Sequence, residues 1–167
     1  DNKDILFLFD HIDMKELARV QEHDAENGDA DYVPVSDEDM VDNYRQILEI
    51  VGEVAGNTLA PNAEQVDLEG NTLNDDGTVT LHPLVRQNLD RMTQAELMGF
   101  TLPRKYGGLN CPNLIYTMAN EIVSRADGSF MNMFGLQGIA ETVNAFANQA
   151  IKDEVLPRFA EGEVTGA

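Results

Sequence analysis

The stretch GFTLPRKYGGLNCPNLIYTMANEIVSRADGSF, residues 99–130, changes character in its middle. Over residues 101–112 it carries Pro103, Pro112 and the pair Gly107-Gly108. Proline lacks the N–H that a helix ladder needs, and glycine gives up the most backbone freedom on ordering, so this segment cannot be regular helix. Immediately afterwards Leu114, Ile115, Met118, Ile122 and Val123 recur at steps that keep them on one helical face. That spacing predicts a helix that ends near Asp127-Gly128. A punctuated loop leading into an amphipathic helix sets the pattern for the rest of the chain.

Working towards the N-terminus, Leu84, Val85, Leu89 and Met92 mark the buried face of a helix that Pro83 opens and that runs to near Gly99. Before it, residues 71–81 shift to two short β-prone runs around Asp75-Asp76-Gly77, which predicts a small hairpin. Ser36 followed by three acids reads as a capped helix start, since acids in a first turn suit the helix dipole. Met40, Val41, Tyr44, Ile47, Leu48, Val51, Val54 and Leu59 then give one long amphipathic helix, limited by Pro61. Residues 22–35 are acidic and interrupted by Gly and Pro, as an exposed linker would be. Asp13 with Glu16 forms a capping-box start for a short helix to about Val20.

Working towards the C-terminus, residues 129–147 are apolar on more than one face, as expected of a helix at the centre of a bundle. A last helix is predicted over Gln149 to Ala160, with Pro157 kinking or restarting it. Gly162 stops it, and Glu163 to Ala167 read as the start of an extended element at a domain boundary. The fold class is all-α: a bundle of about five helices with a small β-hairpin insertion.

Composition narrows function by exclusion. Apolar residues are 43% and charged residues 25% of the 167, which is globular rather than disordered. Thirty acidic against eleven basic side chains give a net charge of −19. Nucleic-acid phosphates and anionic membrane surfaces both require clustered Lys and Arg, so neither is an expected partner. Cys111 is the single cysteine, which rules out an internal disulfide and fits a reducing, cytoplasmic setting. The run ILFLF, residues 5–9, is too short for a signal h-region or a membrane span.

Few residues could carry chemistry. Placing Gly77 or Gly28 at the glycine position of a calcium loop puts the wrong residues at the ligand positions, so these acidic segments read as solvated turns. His11, His23 and His82 have no zinc spacing, and His82 before Pro83 suits a capping or exposed role. No nucleophile elbow or phosphate-binding glycine loop is present. The exception is SFMNMFGLQGIA, residues 129–140, in which Phe130, Met131, Met133 and Phe134 precede Gly135 and Gly138. Glycines let something approach a helix closely, and Met and Phe can line an apolar cavity. Core packing explains the same pattern equally well.

The order Gly99, Pro103, Tyr106-Gly107-Gly108, a helix carrying Glu121, then Asp127 and Ser129 resembles the N-terminal domain of acyl-CoA dehydrogenases. Residues 147–167 are similar to the last helix of that domain, which leads into a flavin domain. Asn110 departs from the family's usual glycine, but asparagine tolerates left-handed backbone, so the turn is expected to survive. The resemblance implies residues 1–35 as an N-terminal extension and acidic linker of a longer subfamily, and 36–167 as the helical domain. It implies a three-domain enzyme using FAD, an acyl-CoA substrate, an electron-transferring flavoprotein as acceptor, and a homodimer or homotetramer. Its catalytic carboxylate lies outside these 167 residues, as does most of the flavin site. Phe130, Met131, Phe134, Gly135 and Gly138 are implied as the substrate-binding wall. An oxygen-using acyl-CoA oxidase, or a non-enzymatic acidic helical module that binds a partner, are the alternatives.

Overall fold

A computed structural model describes residues 2–23 and 25–166; Asp1, Asp24 of the acidic linker and Ala167 of the terminal stretch lie outside the described residues. The architecture is all-α with one two-stranded hairpin, as expected. Helix α1 spans Lys3–His11, where Asn2 accepts from the Asp4 and Ile5 N–H groups. Helix α2 spans Met14–Glu22, with the Asp13 carboxylate accepting from the Glu16 N–H as the capping box requires. Ser36 caps α3, Asp37–Val54, by accepting from the Asp39 N–H.

Pro61 does not end this helix. A π turn, Ala55–Leu59, carries the backbone into α4, Ala60–Glu69. The Ala60 N–H reaches back five residues to the Ala55 carbonyl. Widening the ladder by one residue just before Pro61 relieves the ring clash that would break a regular helix, so the expected stop becomes a bulge. The hairpin pairs β1, Thr72–Leu73, with β2, Val79–Thr80, and lies fully exposed.

Helix α5 is Pro83–Gln94, capped by His82, whose Nδ1 accepts from the Leu84 N–H while Nε2 faces Glu69. It ends short of Gly99 because Glu96 takes a left-handed φ of 58°, turning Leu97 and Met98 into the core. The 99–111 loop then doubles back: the Leu109, Asn110 and Cys111 N–H groups bond to the Gly99, Leu102 and Phe100 carbonyls. A single 3-10 turn, Arg104–Tyr106, forms its tip. Asn110 holds φ 52°, so the turn survives without glycine. Helix α6, Asn113–Ala126, packs along α3.

The 129–147 segment is not one central helix. It divides into α7, Phe130–Gly135, a 3-10 turn, Leu136–Gly138, and α8, Ile139–Phe146. Only one side of it is buried; Leu136, Ile139 and Phe146 are exposed. The apolarity on its second face therefore marks a surface, not a bundle axis. Helix α9, Gln149–Ala160, keeps Pro157 within it.

Two apolar cores result. The main one joins α1, α2, α3, the π turn, α5, α6 and α7, including Phe9, Tyr44, Leu59, Met92 and Ile115. The smaller one joins Leu102, Tyr106, Ala140, Leu156 and Phe159. Gln137 stitches them, donating to the Met98 and Phe159 carbonyls while accepting from the Gly166 N–H.

Residues 25–35 are largely exposed, but the start of the acidic linker is not free of the domain. Glu22 turns inward and grips Arg104 through two bonds of 2.7 Å, with side-chain exposures of 9% and 5%. Asn27 and Asn110 complete the cluster.

Candidate functional site

The expected wall begins at Asp127, which closes α6 and opens α7. Its Oδ1 accepts from the Ser129 N–H, the Ser129 hydroxyl and the Phe130 N–H, so one carboxylate satisfies the orphan donors of the new helix start. This fixes the direction of α7. Phe130 and Phe134 then fall on the inner side and are buried.

Phe134 meets Phe100 and Tyr116 in a tilted and edge-on triangle, with ring centroids 5.4 to 6.0 Å apart. The Tyr116 hydroxyl donates to the Phe134 carbonyl at 2.6 Å and lies 3.0 Å from that of Gly135. Those carbonyls lose their regular helix partners where α7 gives way to the 3-10 turn, so Tyr116 supports the break. Burial raises the Tyr116 hydroxyl above its ordinary pKa, which keeps it a donor.

The two glycines face α6. A Cβ at Gly135 would sit 3.2 Å from Asn120 Oδ1 and 3.3 Å from Met131 Sδ, and one at Gly138 would sit 3.5 Å from the Tyr116 ring. Met131 is half-buried against the core. Thus all five expected residues lie on one short segment: Phe130 and Phe134 point into the core, and Gly135 and Gly138 let α6 approach. The side turned outwards is built by Leu136 and Ile139, exposed at 45% and 42%, which sequence reading passed over. Their spacing of three, out of phase with Phe130 and Phe134, was the available signal. Gln137, between them, was missed as well; nothing local identifies a glutamine that reaches two distant carbonyls.

Other polar groups are structural. Cys111 is buried, and burial raises its thiol pKa far above the ordinary value, which makes it a poor nucleophile. His11 lies on the surface, its ring stacked on Phe7. Among the described residues no group of three or more His, Cys, Asp or Glu side chains converges as metal ligands. None of the five expected wall residues lines the cleft of about 720 Å³ between α1, α3 and α6.

Residues 42–163 match the family described as acyl-CoA dehydrogenase, N-terminal domain. The chain belongs to that family. The matched stretch contains the 99–111 loop, the Asp127 junction and the helices around them. Isovaleryl-CoA dehydrogenase, mitochondrial, of Solanum tuberosum is 34% identical over 133 residues, covering 75% of this chain and 29% of that protein. The 2-methylacyl-CoA dehydrogenase, mitochondrial, of the same plant is 31% identical with the same coverage. The chain therefore spans under a third of these relatives' length. A solved structure described as the electron transferring flavoprotein of Acidaminococcus fermentans aligns with TM-score 0.59 and 23% identity, over 74% of this chain and 30% of that one. That likeness concerns the fold alone. Among the described residues no helix is long and apolar enough to cross a membrane.

Proposed function

We propose that this chain is the N-terminal part of an FAD-dependent acyl-CoA dehydrogenase, which desaturates an acyl-CoA thioester between its α and β carbons. The observation that carries the reading is the uncovered apolar face of Leu136 and Ile139 on the segment that Asp127 launches, inside the matched region. Such a face can bury an alkyl chain and exclude water from it, and no group on it can abstract a proton. In this reading Leu136 and Ile139 present the wall. Phe130, Met131, Phe134, Gly135 and Gly138 build it from behind, setting how closely it approaches α6.

Residues outside this chain supply the carboxylate that removes the α-proton. They hold most of the FAD site as well. The flavin's contribution when bound is to accept the β-hydrogen as hydride. The names of the relatives favour a short branched acyl group. We further propose residues 1–35 as an extension, 36–167 as the domain, an electron-transferring flavoprotein as acceptor, a homodimer or homotetramer, and a reducing cytoplasmic setting.

The test uses the full-length polypeptide, purified with its flavin and titrated anaerobically with isovaleryl-CoA. Bleaching of the flavin is expected. Leu136→Trp should raise KM for the acyl-CoA, while Leu68→Trp, on the exposed side of α4, should not. Turnover that reduces oxygen to peroxide at full rate would assign an oxidase instead. No bleaching with any acyl-CoA would leave the partner-binding reading.

A further inference from the structure

Gln137 lies between the two wall residues in the chain but is buried, while Leu136 and Ile139 stay open. A buried primary amide needs partners for both its donor hydrogens and its oxygen, or its desolvation goes uncompensated. Here Nε2 donates to the Met98 and Phe159 carbonyls, each at 3.4 Å, and Oε1 accepts from the Gly166 N–H at 3.1 Å. One side chain thus ties together the entry to the 99–111 loop, the end of α9 and the stretch that leaves α9. The stretch itself is held close along its length. Gly162 turns it with a left-handed φ of 68°, where a Cβ would overlap the Thr93 hydroxyl. Val164 packs on the smaller core. At Gly166 a Cβ would overlap the Leu136 carbonyl and lie 2.9 Å from Ile139 Cγ2. The backbone of residue 166 therefore rests on the wall segment itself, at an approach that glycine allows.

The wall and the departing chain are placed relative to each other by directional bonds from a residue of the wall segment. Apolar packing alone is non-directional and would let one slide over the other. We infer that Gln137 is a positioning residue for the desaturation: it holds residues 163–166 on the wall segment, and so fixes where an acyl chain on Leu136 and Ile139 lies relative to the rest of the protein. The inference rests on the proposed function, in which groups outside this chain carry the chemistry. Gln137 acts through the wall and Gly166, its own side chain being turned into the protein. Misplacing reacting groups by about 1 Å can slow a reaction about 100-fold. Burial of an alkyl chain tolerates such a shift, so loss of the tether should slow the reaction far more than it weakens acyl-CoA binding.

The experiment uses the full-length flavoprotein with Gln137→Met, which keeps the side chain's length and loses all three bonds, and Gly166→Ala, which pushes residue 166 off the wall while leaving Gln137 in place. Without acyl-CoA, amide hydrogen exchange in a peptide covering residues 161–167 should speed up in both variants. In anaerobic stopped-flow with isovaleryl-CoA, the maximal rate of flavin bleaching should fall about tenfold or more in each, with the half-saturating concentration changed less than about threefold. The double variant should be no slower than the slower single, because both break one contact. Val66→Ala, a truncation of a buried residue in α4, should lower the thermal midpoint and leave the exchange and the maximal rate as in the parent. Gly166→Ala carries the same test should Gln137→Met fail to fold. Unchanged exchange at 161–167, an unchanged maximal rate, a loss confined to the half-saturating concentration, rate losses that multiply in the double variant, or equal slowing by Val66→Ala would each overturn this role alone. A parent that no acyl-CoA bleaches would refute the proposed function and this role with it.

Discussion

Breaking the Glu22–Arg104 pair should destabilise the chain more than any other single surface-to-linker contact. The two side chains are joined by a bidentate pair of 2.7 Å bonds with almost no solvent access. Taking two charges out of water is expensive, and their attraction with the surrounding hydrogen bonds offsets that cost only while both are present. Among the described residues Glu22→Ala leaves the buried guanidinium with Asn27 as its one side-chain acceptor, and Arg104→Ala leaves the carboxylate with the Asn110 amide and no counter-charge hydrogen-bonded to it. Each should cost about 3–5 kcal/mol. At about 2–4 °C per kcal/mol for a chain of this size, the thermal midpoint should fall by roughly 6–20 °C. The double variant Glu22→Leu with Arg104→Met should recover most of the loss, since an apolar pair of similar volume avoids desolvation altogether. Chemical denaturation of these proteins, with Glu22→Ala plus Arg104→Ala added to close the cycle, gives the coupling directly. The exposed pair Arg19–Asp37 is the contrast: both charges are solvated, so removing it should leave the denaturation midpoint close to the parent's. Single variants within about 1 kcal/mol of the parent, or a double variant as unstable as the sum of the singles, would refute the reasoning.

Other expectations follow from single contacts. Gly108→Ala should destabilise more than Gly107→Ala, because a Cβ at 108 overlaps the Leu102 carbonyl, whereas at Gly107 only the left-handed φ of 81° is strained, worth about 1–2 kcal/mol. Equal denaturation midpoints would contradict this. Tyr44→Phe should leave stability unchanged within about 0.5 kcal/mol or raise it, because the buried hydroxyl has no hydrogen-bond partner among the described residues. Burial raises Cys111, Tyr44 and Tyr116 above their ordinary values, so the native state holds these protons more tightly than the unfolded chain. Stability from them is complete below about pH 8.5 and is lost as pH rises past the thiol and phenol ranges. A midpoint that stays flat or climbs from pH 8.5 to 10.5, or a native thiol that reacts readily with a disulfide reagent, would contradict it.

Local signals proved sufficient wherever the neighbours that decide a conformation lie within a few residues. Asp13, Ser36 and His82 cap helices through bonds to N–H groups two or three positions on, and Asn110 needs only its own backbone tolerance. Pro61 was a stop signal that the fold circumvented, because burying Val54, Ala55 and Leu59 favours continuing the helix through a π turn. Glu22 and Arg104 are 82 positions apart, so no spacing rule connects them. The proposed wall was legible as a segment, whereas which of its side chains stay outside the core was not. Phe130 and Phe134 are the larger apolar groups and draw attention, yet large groups are the ones a core absorbs; Leu136 and Ile139 stay outside.

The measurement that reaches the central claim most directly is an anaerobic titration of the full-length flavoprotein with isovaleryl-CoA, comparing the parent with Leu136→Trp. Loss of the oxidised flavin band at stoichiometric acyl-CoA in the parent, shifted to a higher concentration in the variant, is the predicted result. A flavin that stays oxidised in the parent, or bleaches identically in both, would contradict the assignment of the α7–α8 face as the acyl wall.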